Sequence, residues 1–456
     1  MDTSARISEV SLSCSIVLLL ATACGLAVAN VYYAQPLLDA IAGEFGIRHS
    51  TIGIVITITQ LSYAAGLLLL VPLGDMMNRR KLISLQMLLS VAALVAVGIA
   101  PNSTILFIGM ACVGLLAVVT QVLVAYAANL AGSFERGQVV GAVTSGVVIG
   151  ILLARSVAGI LTDIAGWRSV YLVSAALLLI MSITLYNILP RQDSVRASLS
   201  YKQLLYSVLT LFKEEPILRI RAVLALLIFS AFSILWTSLV LPLRIPPLSL
   251  SHSAIGAFGL AGVAGAIAAA QAGRWADRGL GQRTTGAALF LLFASWLPIS
   301  YVDQSLLALI GGIILLDFAV QAVHVTNQSM ILAVRPESRS RLTAGYMIFY
   351  SLGSALGSIA STIVYAIWGW NGVSILGAIV SALGIVFWSL TLRFSASVHL
   401  NSLQLKNHFR YLQPINSTFI NNFSTAVFLG QLSKINSAKG TTVRVNFTIV
   451  VNRVKL

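Results

Sequence analysis

The strongest constraint on this chain is the recurrence of apolar stretches of about eighteen residues or more, each nearly free of charge. As a helix, such a stretch matches the hydrocarbon thickness of a bilayer. In lipid only a helix or a closed barrel satisfies its own backbone, and runs this long and continuous exclude the alternation of a barrel strand. About twelve runs are readable, with cores near 14–34, 51–73, 82–100, 104–127, 139–161, 170–189, 222–242, 253–273, 284–302, 305–327, 343–366 and 373–393. They are numbered here spans 1 to 12. Hydrophobic residues form 58% of the 456 residues and the mean hydropathy is +0.91, outside the range of soluble domains. The expected fold class is an all-α polytopic membrane protein.

The formal charge of +15 points first to a polyanionic partner such as nucleic acid, but its placement argues for topology instead. With the N-terminus inside, the inward loops and N-terminal segment up to Arg341 hold 17 Lys+Arg, and the outward loops hold three, Arg48, Arg168 and Arg244. That asymmetry orients the chain with both termini cytoplasmic. No nucleic-acid partner is needed. Cys14, Cys24 and Cys112 lie in or beside apolar spans without metal-ligand spacing, so neither a disulfide nor a metal site is expected. AVAN (Ala27 to Asn30) resembles a signal-peptidase site, but the leader carries Asp2 and Glu9 against Arg6, and span 1 is expected to be retained.

The chain divides into residues 1–189, a six-span half; 190–221, a polar linker with six Lys+Arg and a Glu214-Glu215-Pro216 turn; 222–393, a second six-span half; and 394–456. The linker is expected to be cytoplasmic, partly helical and on the membrane surface. The halves repeat at an offset of about 200 residues. Asp75 matches Asp277, and TQVLVAYAANL (Thr120 to Leu130) parallels VQAVHVTNQSM (Val320 to Met330). The turns SFERGQ (Ser133 to Gln138) and PESRSR (Pro336 to Arg341) follow, then AGWR (Ala165 to Arg168) and WGWN (Trp368 to Asn371). Parallel six-span repeats imply a two-fold axis along the membrane normal, with a central site between the halves. Residues 394–456 contain no Asp or Glu, seven Lys+Arg and eight Asn. TTVRVNFTIVVNRV (Thr441 to Val454) alternates like a strand without a partner strand. The segment suits an appended piece without selected structure, such as a shifted reading frame would make, or else a regulatory tail.

VPLGDMMNRRKLI (Val71 to Ile83) places Asp75, Arg79, Arg80 and Lys81 in one inward turn, and AGRWADRGLGQR (Ala272 to Arg283) repeats the theme. The bases suit lipid headgroups, and the aspartates suit helix N-terminal amides. Here the chain resembles the major facilitator superfamily, whose turn between spans 2 and 3 reads G-x-x-x-D-R/K-x-G-R-R/K. The resemblance covers Ser13 to Arg393. The second copy matches at Gly273, Asp277, Arg278 and Arg283. The first keeps Asp75, Arg79 and Arg80 but has Val71, Met76 and Asn78 at other motif positions. The resemblance implies two pseudo-symmetric six-helix bundles, alternating access, and these turns as a cytoplasmic gate latch. Span 5, GAVTSGVVIGILLARSVAG, carries Gly141, Gly146, Gly150 and Gly159, which permit close helix approach. It is similar to the glycine-rich span of drug–proton antiporters, with Val147 and Ile151 departing from that pattern. YYAQPLL, LLAR and GWRSVY also resemble bacterial permeases grouped with sugar-efflux carriers. These likenesses imply a multi-pass protein of the bacterial inner membrane.

Inside the membrane, Arg155 of span 5 costs about 2.5–3.5 kcal/mol on insertion scales, so it should face a partner, face a cavity or snorkel outward. Asp317, Gln321, His324 and Gln328 fall at spacings of 4, 3 and 4 on one face of span 10, with Asn327 beside it. Such a face serves either as interhelical glue or as a proton-exchanging site. An Arg155–Asp317 pair across the halves, formed in one access state and broken in the other, would couple protons to rocking. By resemblance spans 1, 4, 7 and 10 line the cavity, which nominates Asn30, Tyr33, Gln121, Trp236, Gln321 and Gln328. Tyr32, Tyr33 and Trp236 also suit interfacial anchoring. The expected function is proton-coupled efflux of a small drug-like or sugar-like solute. The proton gradient would supply the energy without a bound cofactor, the expected contacts are solute and membrane lipid, and a monomer suffices. Two alternatives stand beside it: a decayed transporter with an aberrant C-terminus, and a membrane enzyme. The enzyme has only His324 with Asp317 as a dyad, and no H-E-x-x-H, G-x-S-x-G or P-loop pattern occurs.

Overall fold

A computed structural model describes residues 13–131, 135–190, 200–335 and 338–411. The leader before residue 13, the start of the SFERGQ turn, part of the linker, Pro336, Glu337 and the strand-like Thr441 to Val454 lie outside the described residues. Those described form helices and no strand. Nine helical stretches among them are long and apolar enough to cross a membrane. One of these, Arg341–Leu392, turns back at Gly369, whose φ of 62° breaks the helix, so it supplies spans 11 and 12. Ile54–Leu69 and Gly281–Ser300 complete the twelve as spans 2 and 9.

The remaining spans are Cys14–Tyr32, Arg79–Gly98, Ser103–Leu116 continued by Val119–Leu130, Arg136–Ala165, Trp167–Ile188, Pro216–Ser238, His252–Ala257 leading into Gly262–Asp277, and Leu306–Leu332. Spans 5 and 6 meet at Gly166 with φ of 77°, and spans 11 and 12 at Gly369. Only glycine reaches these conformations without strain, so the AGWR and WGWN correspondence repeats a backbone geometry as well as letters. Span 7 starts at Pro216, where proline suits a first helical turn; Arg221 therefore sits inside a span rather than in the linker.

The linker helix Tyr201–Glu214 opens with a capping box, Ser200 with Gln203, and turns Leu204, Val208 and Leu211 inward. Tyr201 Oη donates to Leu69 O at 2.8 Å, and Phe212 lies over Gly345 of span 11. Arg335, after span 10, pairs with Glu214 at 2.9 Å and Glu215 at 2.6 Å. Partial desolvation opposes the Arg335 charge, but the two carboxylates outweigh it and hold the guanidinium above its ordinary value. This end of the molecule is called the linker face below.

Close approach explains the glycines of span 5. A Cβ on Gly150 would lie 2.6 Å from Gly25 Cα, and one on Gly146 2.6 Å from the Ala21 carbonyl carbon, so spans 1 and 5 cross backbone to backbone. Gly159 abuts His252 of span 8. Gly141 differs from the expectation: a Cβ there meets nothing within 4 Å, because it lies beyond the crossing. Residues Met1–Leu392 form one compact unit and Arg393–Leu456 a second.

Candidate functional site

Two intramembrane charges come together where the halves meet. Arg155 and Asp317 are 2% and 3% exposed, so both have left water. Arg155 Nε donates to Gln35 Oε1 at 2.8 Å, just past the end of span 1. Its guanidinium carbon lies 3.8 Å from the centre of the Trp236 ring and 5.4 Å from those of Tyr32 and Phe232. Trp236 Nε1 in turn donates to Asp317 Oδ1 at 3.1 Å. The indole thus links the charges: its face carries the cation and its edge binds the carboxylate. Arg155 Nη2 is buried with no hydrogen-bond partner. Asp317 Oδ2 faces Gly262 of span 8, and Gly259 beside it makes room for the Arg155 stem. Tyr32 and Tyr350 share a hydroxyl–hydroxyl hydrogen bond across the halves, and Phe229 meets Tyr350 edge-on with ring centres 3.9 Å apart.

The rest of the polar face of span 10 divides between two environments. Gln321 packs over Gly265 of span 8, and Gln328 is half-buried. His324 Nδ1 meets Tyr346 Oη at 3.0 Å and its ring stands edge-on to Phe229. Asn327 is fully buried, and Arg221 Nη1 donates to its Oδ1 at 3.1 Å and to Thr285 Oγ1 at 3.0 Å. Arg221, counted above among the loop bases, is 1% exposed and belongs to the interior of the second half, a correction that follows from the early start of span 7. Asn30 accepts from Ser174 Oγ at 2.6 Å, and Tyr33 meets Tyr171 edge-on, so both face span 6 within the first half. Gln121 Nε2 donates to Tyr63 Oη at 3.4 Å between spans 4 and 2. A groove of about 600 Å³ lies elsewhere, lined by Lys202, Tyr206, Glu214, Arg335 and Arg341 of the linker face.

Opposite the linker face, a charged clasp joins the halves. Asp39 accepts from Arg244 Nε at 2.8 Å and lies 3.1 Å from His252 Nε2. The other His252 ring nitrogen lies 3.2 Å from Asp163, which also accepts the His252 and Ser253 backbone amides at 3.1 and 2.7 Å. Asp39 and Asp163 belong to the first half, Arg244, His252 and Ser253 to the second. A carboxylate from one half therefore caps the first turn of span 8 in the other. Nearby, Ser156 Oγ donates to Gly256 O at 3.0 Å, Thr57 Oγ1 to Ala355 O at 2.9 Å and Thr362 Oγ1 to Ser50 O at 3.2 Å. Sequence reasoning missed the clasp because each member looks like an ordinary loop charge. A signal was present: acids and bases at span ends on the outward side of both halves.

At the linker face, Asp75 falls in the turn Leu73–Met76 and Asp277 ends span 8. The aspartate cap expected in these turns falls on side chains outside the described ones, and span 3 itself opens at Arg79. Asn78, a motif departure, is its N-cap and accepts from the Lys81 amide at 3.2 Å. Arg79 donates to Gly74 O and Ala125 O, and Arg80 bonds Tyr186 O while lying 4.7 Å over the Tyr186 ring. These bases brace the turn within the first half. Gly273 faces Val325 of span 10, while Arg278 and Arg283 are exposed.

Comparison with known proteins agrees with this architecture. The family model of the Major Facilitator Superfamily matches residues 18–271 and 222–437. A transporter named YgaY in Escherichia coli (strain K12) is 47% identical over 377 residues, covering 83% of this chain and 95% of that protein. The transporter SCO4007 of Streptomyces coelicolor is 31% identical over 375 residues, covering 82% and 86%. Among solved structures, an inward-facing, unoccupied bacterial homolog of the human lysosomal transporter Spinster superposes with a TM-score of 0.67 at 14% identity, covering 83% of this chain and 96% of that one. The nucleoside transporter NupG gives 0.67 at 15% identity, covering 83% and 100%. At such identities these structures speak to the fold alone. Taken with the twelve spans and their two repeated halves, the matches show that the chain belongs to the major facilitator superfamily, as a multi-pass membrane transporter.

Proposed function

We propose that this chain is a proton-coupled secondary transporter of the bacterial inner membrane, moving a small organic solute by alternating access, with Arg155, Trp236 and Asp317 at its site. The observation that carries the reading is the split of this trio between the halves: Arg155 on span 5, Trp236 and Asp317 on spans 7 and 10. Rocking of the halves must change the stacking of the guanidinium on the indole, and with it the charge that Asp317 feels. A group that gains or loses a counter-charge with access state also gains or loses a proton with it. Taking the linker face as cytoplasmic, the clasp closes the outer side of the site. Asp75 and Asp277 at the linker face would serve the converse state.

Whether proton and solute travel together or in exchange follows from the charge of the solute. Exchange corresponds to the efflux that the glycine-rich span 5 suggests; joint binding corresponds to uptake. The direct test is solute counterflow and proton-driven transport in proteoliposomes for Asp317→Asn. Exchange down a solute gradient should persist while proton-driven accumulation is lost. Wild-type proton dependence in the variant would reduce Asp317 to helix glue.

A further inference from the structure

We infer that the solute is an organic anion with a flat apolar body, held through Arg155 and carried together with one proton on Asp317. The inference rests on the reading of Arg155 and Asp317 as the transport site. Its first support is the orphan: Arg155 is 2% exposed, yet its Nη2 has no hydrogen-bond partner. A buried guanidinium presents its donors in a fork that matches a carboxylate or sulfonate. An unfilled donor in that fork is a place for an oxyanion once the halves part. The second support is the wall around it. Tyr32, Phe232 and Trp236 present their rings to the guanidinium, and Phe229 and Tyr350 continue the aromatic surface toward span 11. An anion seated there lays its body against rings rather than hydrogen-bonding side chains, which sets it apart from a polyhydroxylated solute.

The third support is charge conservation in a site that has left water. When empty, the arginine cation is balanced by the Asp317 carboxylate through the indole. An anion added to that arrangement leaves one uncompensated negative charge, and a proton taken from solvent by Asp317 restores neutrality. A cation added instead leaves a positive charge that nothing nearby can neutralise, since arginine does not deprotonate. The ionisable groups around the trio are Tyr32 and Tyr350, bonded to each other, and His324 on Tyr346 further along span 10. All are neutral in their resting forms and leave the balance unchanged. Anion and proton therefore favour each other's binding, and by reciprocity each carries the other across. Driven by an inward proton gradient, such coupling is uptake.

The test uses the purified full chain and four probes of similar shape: benzoate, benzenesulfonate, benzamide and benzylamine. Binding is followed by calorimetry and by thermal stabilisation. Benzoate and benzenesulfonate should bind, with affinity rising about tenfold per unit fall in pH while Asp317 is ionised in the empty protein, and about one proton taken up per anion. Benzenesulfonate, ionised throughout, excludes the proton of the ligand's own acid group. In Asp317→Asn the anions should still bind, now without pH dependence; in Arg155→Lys they should bind at least tenfold more weakly. Benzylamine binding that is lost in Asp317→Asn would overturn the anion class while leaving the site reading intact. Anion binding unaffected by either substitution would overturn both. No preference for the anions over benzamide would overturn the anion class alone, and proton-driven transport by the Asp317→Asn variant would then decide the site reading separately.

Discussion

Replacing Asp39 with asparagine should open the clasp. Asp39 receives Arg244 Nε at 2.8 Å and sits 3.1 Å from His252 Nε2, both on the opposite half. Asparagine keeps the shape and one carbonyl oxygen but removes the charge. A hydrogen bond to a charged group contributes about 1.5–3 kcal/mol when shielded from water. The Arg244 and Asp39 side chains are 35% and 14% exposed, so solvent screening reduces this value. A loss of about 2 kcal/mol for the two contacts together is then reasonable. That converts to a shift of about 30-fold in the ratio of clasped to unclasped protein, enough to take 99:1 to about 3:1. Spin labels at His49 and Gln304, exposed on the outward loops of the two halves, would report it as a longer-distance population in a background lacking Cys14, Cys24 and Cys112. Asp163→Asn, at a carboxylate that also accepts two backbone amides, should shift the distribution at least as far. Distance distributions identical to the parent in both variants would refute the clasp as an energetic element and leave it a bystander of helix packing.

The crossing of spans 1 and 5 predicts opposite outcomes for two glycines in one helix. Gly150→Val should abolish a monodisperse folded peak in size-exclusion chromatography, because a Cβ there meets Gly25 Cα at 2.6 Å. Gly141→Ala, in open space, should be neutral or raise Tm, with helix propensity favouring alanine by up to ~1 kcal/mol. Asn327→Leu should destabilise the second half by about 1–3 kcal/mol in thermal unfolding, since it leaves the buried Arg221 Nη1 with Thr285 alone. A chain ending after Arg393 should insert, fold and transport like the full chain, since Met1–Leu392 forms a compact unit by itself; loss of expression or transport would assign the last segment a role.

Span number, span position and the twofold repeat were legible in the sequence because a bilayer acts residue by residue. Each crossing segment must hide its own backbone and side chains from lipid whatever its neighbours do, so hydropathy alone marks it. Arg155 and Asp317 were legible for the same reason, since an ionised group inside an apolar run needs a cause that local sequence cannot supply. Their approach to each other across the halves was an expectation from the sequence, but the side chain that stands between them was not legible. The Trp236 indole links them only because spans 5, 7 and 10, remote in the chain, converge at one depth. Arg221 looked like a linker base until helix packing drew it into the interior beside Thr285 and Asn327. Asp39, Asp163, Arg244 and His252 look like separate loop charges, and only the docking of one half on the other makes a clasp of them. Hydropathy is a property of a segment, whereas the bond between Asp39 and His252 is a property of the geometry the two halves share, and that geometry exists only once the halves have packed.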